Sequence, residues 1–246
     1  MSAQTIDSVI ERLEDIIAWS YDCGSRIGFF PALYRKTTIE IKRGLGIGRF
    51  EDPERMEVLD IAFAGRYFEA FERHRQNEQP TRAWAYAFRM ADHHAPSVMQ
   101  HLLLGMNAHI NLDLGISVAD VAPAEALPGL KHDFNEINAV LGELIDRVQE
   151  DLAGVFPAIH QLDDIGGALD EQMVRFSIKK ARAAAWHKAE LLAGLPAGAD
   201  WTSHIRDFDR ETTLFAQTLC LMRRRPLPAP AGDRERVRRM IEALMD

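Results

Sequence analysis

The chain has 246 residues, 47% hydrophobic and 27% charged, with a formal net charge of −8, the make-up of a globular protein with a real core. The negative balance excludes a general nucleic-acid binder, which needs a basic surface or stripe to attract phosphates; the single basic cluster, Arg223 to Arg225 ahead of Pro226, is too short to change this. Cys23 and Cys220 lie near opposite ends of the chain and in no C-x-x-C pattern, which excludes a disulfide scaffold and a cysteine-based zinc knuckle.

The opening residues, MSAQTIDSVIERLEDII, carry acids where a secretion signal has basic residues followed by an apolar run. No apolar run of about 18 residues stands out, so a cytoplasmic protein with no membrane partner is expected. Thr5 to Tyr21 places Ile6, Ile10, Leu13, Ile16 and Ile17 on one helical stripe. Gly24, Gly28 and Pro31 interrupt it, and Tyr34 to Gly44 reads as a second helix. The Gly44–Gly48 stretch is a turn-rich connection; it lacks the preceding strand and the Lys-Ser/Thr ending of a phosphate loop.

Asp52 is a natural N-cap and Pro53 suits the first turn of a long helix to about Arg75. Thr81 caps a helix over Ala83–Asp92, and Pro96 opens a central helix to about Val121. Pro123 to Gly129 reads as a loop and Asp133 to Leu152 as a helix. Pro157 to Gly167 is irregular, and the segment Leu162–Glu171 lacks the alternating oxygen ligands of a calcium loop. Leu169–Leu195 and Trp201–Arg224 are further helices. A Pro-rich linker then leads to a short helix, Asp233–Met245. No segment alternates apolar and polar residues as a half-buried strand does. The expectation is an all-α protein: residues 1–225 as one domain of about eight helices, and residues 226–246 as the linker and terminal helix, the one part able to detach.

The central helix holds the chemistry. QHLLLGMNAHINLDLG, Gln100 to Gly115, is apolar yet carries His101, Asn107, His109, Asn111 and Asp113. A surface helix segregates its polar residues on one face; here they are intermixed, so several must point into protein, where an unpartnered polar group costs roughly 1–3 kcal/mol. His109 and Asp113, one turn apart, can converge on one point. They can share a metal such as zinc or iron(II), or Asp113 can orient His109 as a general acid or base. His101 lies about 12 Å along the axis from His109 and is the weakest of the three as a shared ligand. Asn107 and Asn111 share another face, from which their amides can tie neighbouring helices together. Asp60, Phe63 and Tyr67 fall on one face of the third helix with Arg66 beside them, and Asp133 opens a later helix, where its carboxylate complements the helix dipole. A purely structural hydrogen-bond network fits the same residues.

Several blocks occur together: GFFPALYRKTT (Gly28–Thr38), RMEVLDIAFAGRYF (Arg55–Phe68), HLLLGMNAHINLDLG (His101–Gly115), HDFNEINAVL (His132–Leu141) and ARAAAWHKAELLA (Ala181–Ala193). In these the chain resembles a largely actinobacterial family catalogued only as a domain of unknown function, with NAHINLDL its most specific mark. The resemblance spans about Leu13 to Leu195. It implies a helical domain and a set of polar residues that belong together: Tyr34, Arg35, Asp60, Arg66, Tyr67, His101, Asn107, His109, Asn111, Asp113, Asp133, Asn135 and Asn138. It implies no activity.

The functional expectation is a small-molecule enzyme with His109 and Asp113 as catalytic residues and Asn107, Asn111, Asp133, Tyr67 and Arg66 contacting substrate. A divalent zinc or iron, if used, would sit on His109, Asp113 and His101. The apolar neighbourhood suits a small hydrophobic partner, changed by metal- or acid/base-assisted hydrolysis, cyclisation or dehydration. A non-catalytic ligand binder and an interaction module with a structural polar core are the alternatives. The sequence leaves a homo-oligomer open.

Overall fold

The computed structural model describes residues 4–94, 96–138, 140, 178–220 and 232–245, and among these the regular structure is helical throughout, with no strand. The expected irregular segment Pro157–Gly167, the calcium-loop look-alike, the Pro-rich linker and the Arg223–Arg225 cluster lie outside the described residues.

Helix α1 (Ile6–Cys23) begins in a capping box, Thr5 paired with Ser8, and buries the predicted stripe Leu13, Ile16 and Ile17 along with Val9. A single 3₁₀ turn, Arg26–Gly28, leads directly into α2 (Phe29–Gly46). This second helix starts well before Tyr34: Pro31 stands in its first turn, where backbone N–H groups have no intrahelical acceptor and a proline costs nothing. It also runs on through Gly44. Helix α3 (Pro53–Arg75) has the predicted bounds, with the Asp52 carboxylate accepting from the Arg55 N–H. Helix α4 covers Arg82–Ala91.

The central helix is continuous from Val98 to Val121 but not uniform. Its first part, α5 (Val98–Ala108), starts in a Ser97/Gln100 capping box. A π-helical segment follows, His109–Leu114, and α6 (Gly115–Val121) completes it. The helix is 24 residues long and apolar enough to cross a membrane by length and composition, contrary to the expectation that no such run exists; yet 94% of its most apolar window is buried inside the protein. It is the core helix of the fold.

Helix α7 occupies residues 127–138 and begins inside the expected Pro123–Gly129 loop. Helices α8 (Ile178–Ala193), α9 (Thr202–Cys220) and α10 (Asp233–Met245) follow. The central helix touches α2 and α3 on one side and α4, α8 and α9 on others, which explains why its polar residues are buried whichever way they point. Gly105 lets α2 approach closely, since a Cβ there would sit 2.5 Å from Phe30 Cγ. The terminal helix α10 is docked rather than free. It buries Val237, Met240 and Ile241 against α1 and α2, and Asp233 pairs with Arg26 at 2.5 Å and with His94 at 3.2 Å.

Candidate functional site

The π segment carries the His-Asp pair. His109 Nδ1 lies 3.4 Å from Asp113 Oδ2, and both residues are buried. A carboxylate offers only acceptors, so the contact puts the ring proton on Nδ1 and leaves Nε2 with its lone pair. Asp113 is itself anchored by the Trp84 indole N–H, which donates to Oδ2 at 2.8 Å, and by Arg66 Nε, 3.4 Å from Oδ1. Three helices, α3, α4 and the central one, therefore meet at a single carboxylate.

His109 is packed among aromatic rings. Phe63 stacks on it with centroids 3.5 Å apart and planes 9° from parallel, and Tyr34 meets it edge-on at 4.6 Å. Burial lowers its pKa, and nearby Arg66 adds to this, against the opposing pull of Asp113. The ring is thus neutral at physiological pH, a base rather than a fixed cation.

Beside it is a cavity of about 70 Å³, several times the roughly 10–15 Å³ that admits one water. Leu33, Ile41, Met56, Leu59, Phe63 and Ile110 give it an apolar wall; Tyr34, Asp60, His109 and Arg182 are its chemically active lining residues. Each of the four carries a buried polar atom without a hydrogen-bond partner: Tyr34 Oη, Asp60 Oδ2, His109 Nε2 and Arg182 Nε. Such atoms are rare in native proteins and call for a cause. Burial, with a small push from Glu57, raises the Asp60 carboxyl to about 7. Burial, with Asp60 and Asp113 nearby, lifts the Tyr34 phenol well above its usual value, so it stays a neutral O–H donor.

The other predicted residues go elsewhere. Asp113 does not line the cavity; it stands behind His109. Arg66 serves Asp113 and approaches Asp120 at 4.0 Å. Asn107 donates to the Thr212 carbonyl at 3.0 Å and accepts from Asn111 at 2.9 Å, tying the central helix to α9. Asp133 accepts the backbone N–H groups of Glu51 and Asp52 at 2.8 and 2.9 Å, pinning the loop ahead of α3. Asn107 and Asp133 thus bond the chain's own backbone and Asn111 bonds the Asn107 side chain, which accounts for all three without a substrate. Tyr67 and His101 line a second, smaller space of about 20 Å³, and each has an unpartnered polar atom, Oη and Nε2. Burial lowers His101 to a pKa of about 3.

The proposed metal triad does not assemble, because His101 belongs to this second space while His109 faces the first. Among the described residues, three such ligands come within 4.8 Å of one another only at Glu51, His132 and Asp133, where both Asp133 oxygens already accept backbone N–H groups. Neither helical spacing nor the family resemblance singles out Arg182, which stands in an Ala-rich helix. Tyr34 joins the polar set only through the family resemblance, whereas Asp60 already shares a face of the third helix with Phe63 and Tyr67.

No curated protein and no solved structure matches the chain. A family model does match, over residues 6–222, and so takes in every residue of the site described above: the chain belongs to DUF5995, a family of unknown function.

Proposed function

We propose that this protein is a cytoplasmic enzyme that moves protons on a small hydrophobic molecule, with dehydration or cyclisation as the reaction type. One observation carries the reading: His109 Nε2, Asp60 Oδ2 and Tyr34 Oη are buried, unpartnered and supplied by residues lining the same apolar cavity. A purely structural polar core satisfies its members, because a half-satisfied buried network is less stable than an apolar one. Asp113 fits the structural reading, with every contact accounted for; the three cavity groups do not.

The division of labour follows from their protonation states. Two titratable groups pushed to opposite forms by their surroundings are the signature of paired acid and base. Neutral His109 is the base and protonated Asp60 the acid, the latter near neutrality as general catalysis favours. In a dehydration, His109 Nε2 removes a proton from the carbon next to a hydroxyl-bearing carbon. Asp60 gives its proton to the departing hydroxyl, the C–O bond breaks, and water leaves as a C=C bond forms. Proton return from His109 to Asp60 restores the site. Tyr34 donates a hydrogen bond to a substrate carbonyl and so stabilises the charge that develops there. In a cyclisation the same base takes a proton from the attacking hydroxyl instead.

The test is untargeted. Purified protein incubated with a hydrophobic metabolite extract should form products lighter by one water, or isomers of their precursors, by mass spectrometry. His109→Gln and Asp60→Asn should each slow product formation by about 10²-fold or more, the usual share of a general acid or base. Identical product profiles for the wild type and both variants would overturn the catalytic reading. A compound retained through purification and never converted would instead favour a ligand-binding protein, which the apolar wall also suits. Elemental analysis of protein purified without chelator tests the zinc or iron alternative in the same preparation.

A further inference from the structure

Arg182 is the cavity residue that the acid/base scheme leaves unused. It projects from α8 and is 2% exposed. Its Nη2 donates to the Phe134 carbonyl at 2.5 Å, and its guanidinium carbon lies 4.2 Å over the Phe134 ring. Its Nε is buried with no partner. Among the described residues no carboxylate forms an ion pair with it. A guanidinium stays charged, and taking a lone charge out of water costs several kcal/mol unless an opposite charge faces it. Asp60, the acidic residue among those lining the cavity, does not fill that role: burial favours its neutral form, and no carboxylate figures among the influences on Arg182, which burial alone lowers to about 9.

We propose that Arg182 anchors a carboxylate carried by the small apolar molecule that occupies this cavity, so that the ligands are short apolar carboxylic acids. The inference rests on the cavity taking a small hydrophobic molecule, but not on that molecule being converted. One guanidinium matches one carboxylate in charge and in its planar, forked geometry. A phosphate would bring about twice the charge into a space with a single cation and a carboxyl group. Leu33, Ile41, Met56 and Leu59 supply the wall for the apolar body. The cavity's modest volume sets the scale at a short chain or a single small ring.

Calorimetric titration of the full chain tests this with butanoate, hexanoate and octanoate, each beside the primary alcohol of equal length. At least one acid should bind about tenfold tighter than its alcohol, a difference of about 1.4 kcal/mol. Arg182→Met should erase that preference and leave alcohol affinity within about threefold of wild type; Arg182→Lys should keep part of it. Arg182→Met removes a costly buried charge but also the bond to the Phe134 carbonyl, so its helical circular dichroism is checked before titration. If Arg182→Met fails to fold, the wild-type comparison of acid against alcohol still decides. Equal binding of acid and alcohol, an acid preference that survives Arg182→Met, or no binding by any acid would overturn the proposal. Product analysis of the same samples keeps the two readings apart: an acid that binds through Arg182 and is recovered unchanged leaves the anchor standing and counts against catalysis.

Discussion

Asp60 is held where ionisation is unfavourable, and that has a thermodynamic consequence independent of any substrate. Its folded pKa, about 7, lies above the roughly 3.9 of an unfolded aspartate. Between these values the folded chain holds a proton that the unfolded chain has released, so Asp60's contribution to stability is full below pH 4 and lost as pH rises through 7. The difference in unfolding free energy between Asp60→Asn and wild type, from urea titrations, should therefore grow in favour of the variant across that window and level off above about pH 8. The total is on the order of 4 kcal/mol. A difference that does not change with pH would mean that Asp60 is ionised in the folded protein. The same substitution is expected to slow turnover by about 10²-fold or more, the usual trade of stability against function at a site. At this scale much of the site was legible. A histidine and an aspartate one turn apart in an apolar helix had to meet, and Asp60 stood on one face with Phe63 and Tyr67. What periodicity cannot supply is the identity of a distant partner. Asn107 bonds a carbonyl 105 residues away and Asp133 an N–H 82 residues away, so their structural roles emerged only with the fold. Arg182 was lost among alanines, whose helix gives no hint of what it packs against.

The π segment is where a helix-wheel reading fails. At 100° per residue the sequence predicts a regular helix through Val121, but from His109 the hydrogen bonds close wider rings, and such segments recur at functional sites. Nothing in HINLDL announces the change; tertiary contacts hold it. Lys188 on α8 donates to the Asn111 carbonyl at 2.7 Å in mid-segment. Just beyond, Gly115 lets α8 approach so closely that a Cβ would stand 2.6 Å from the Ala185 carbonyl oxygen and 3.0 Å from Lys188 Cβ. The obstacle is backbone and cannot swing aside. Gly115→Ala should therefore cost about 1–3 kcal/mol, the range for overpacking, and differential scanning calorimetry should show a lower melting temperature. Alanine's better helix propensity, about 1 kcal/mol, opposes this, so an unchanged or raised melting temperature would mean that α8 can move away. Elsewhere the elements followed their punctuation. Asp52-Pro53 and Asp233 marked helix starts that the structure keeps. Pro31 misled because a proline in a first turn looks, in sequence, like a proline that breaks a helix.

Over the whole molecule the absence of alternating segments was enough to indicate an all-helical class; the arrangement around one buried helix was not legible, since every helix shows an apolar stripe and no stripe names its mate. That arrangement buries two neutral imidazoles as well as the protonated carboxyl, and their pH dependences run in opposite directions. His101 has a folded pKa of about 3, against about 6.5 unfolded. Between these values the unfolded chain binds the extra proton, so the stability His101 contributes is whole above pH 6.5 and falls away as pH drops to 3. Burial pushes His109 in the same direction. From about pH 4 to 6.5, then, Asp60 favours the folded state as the solution becomes more acidic and the two histidines disfavour it. His101→Gln should remove one proton's worth of slope, so that the chain loses less stability on acidification from pH 6.5 to 4, while Asp60→Asn should make the loss steeper. Urea unfolding at half-unit pH intervals separates the three proteins. If His101→Gln runs parallel to the wild type, the imidazole is not kept neutral in the folded state, and the small space it shares with Tyr67 must admit enough water to solvate the charge.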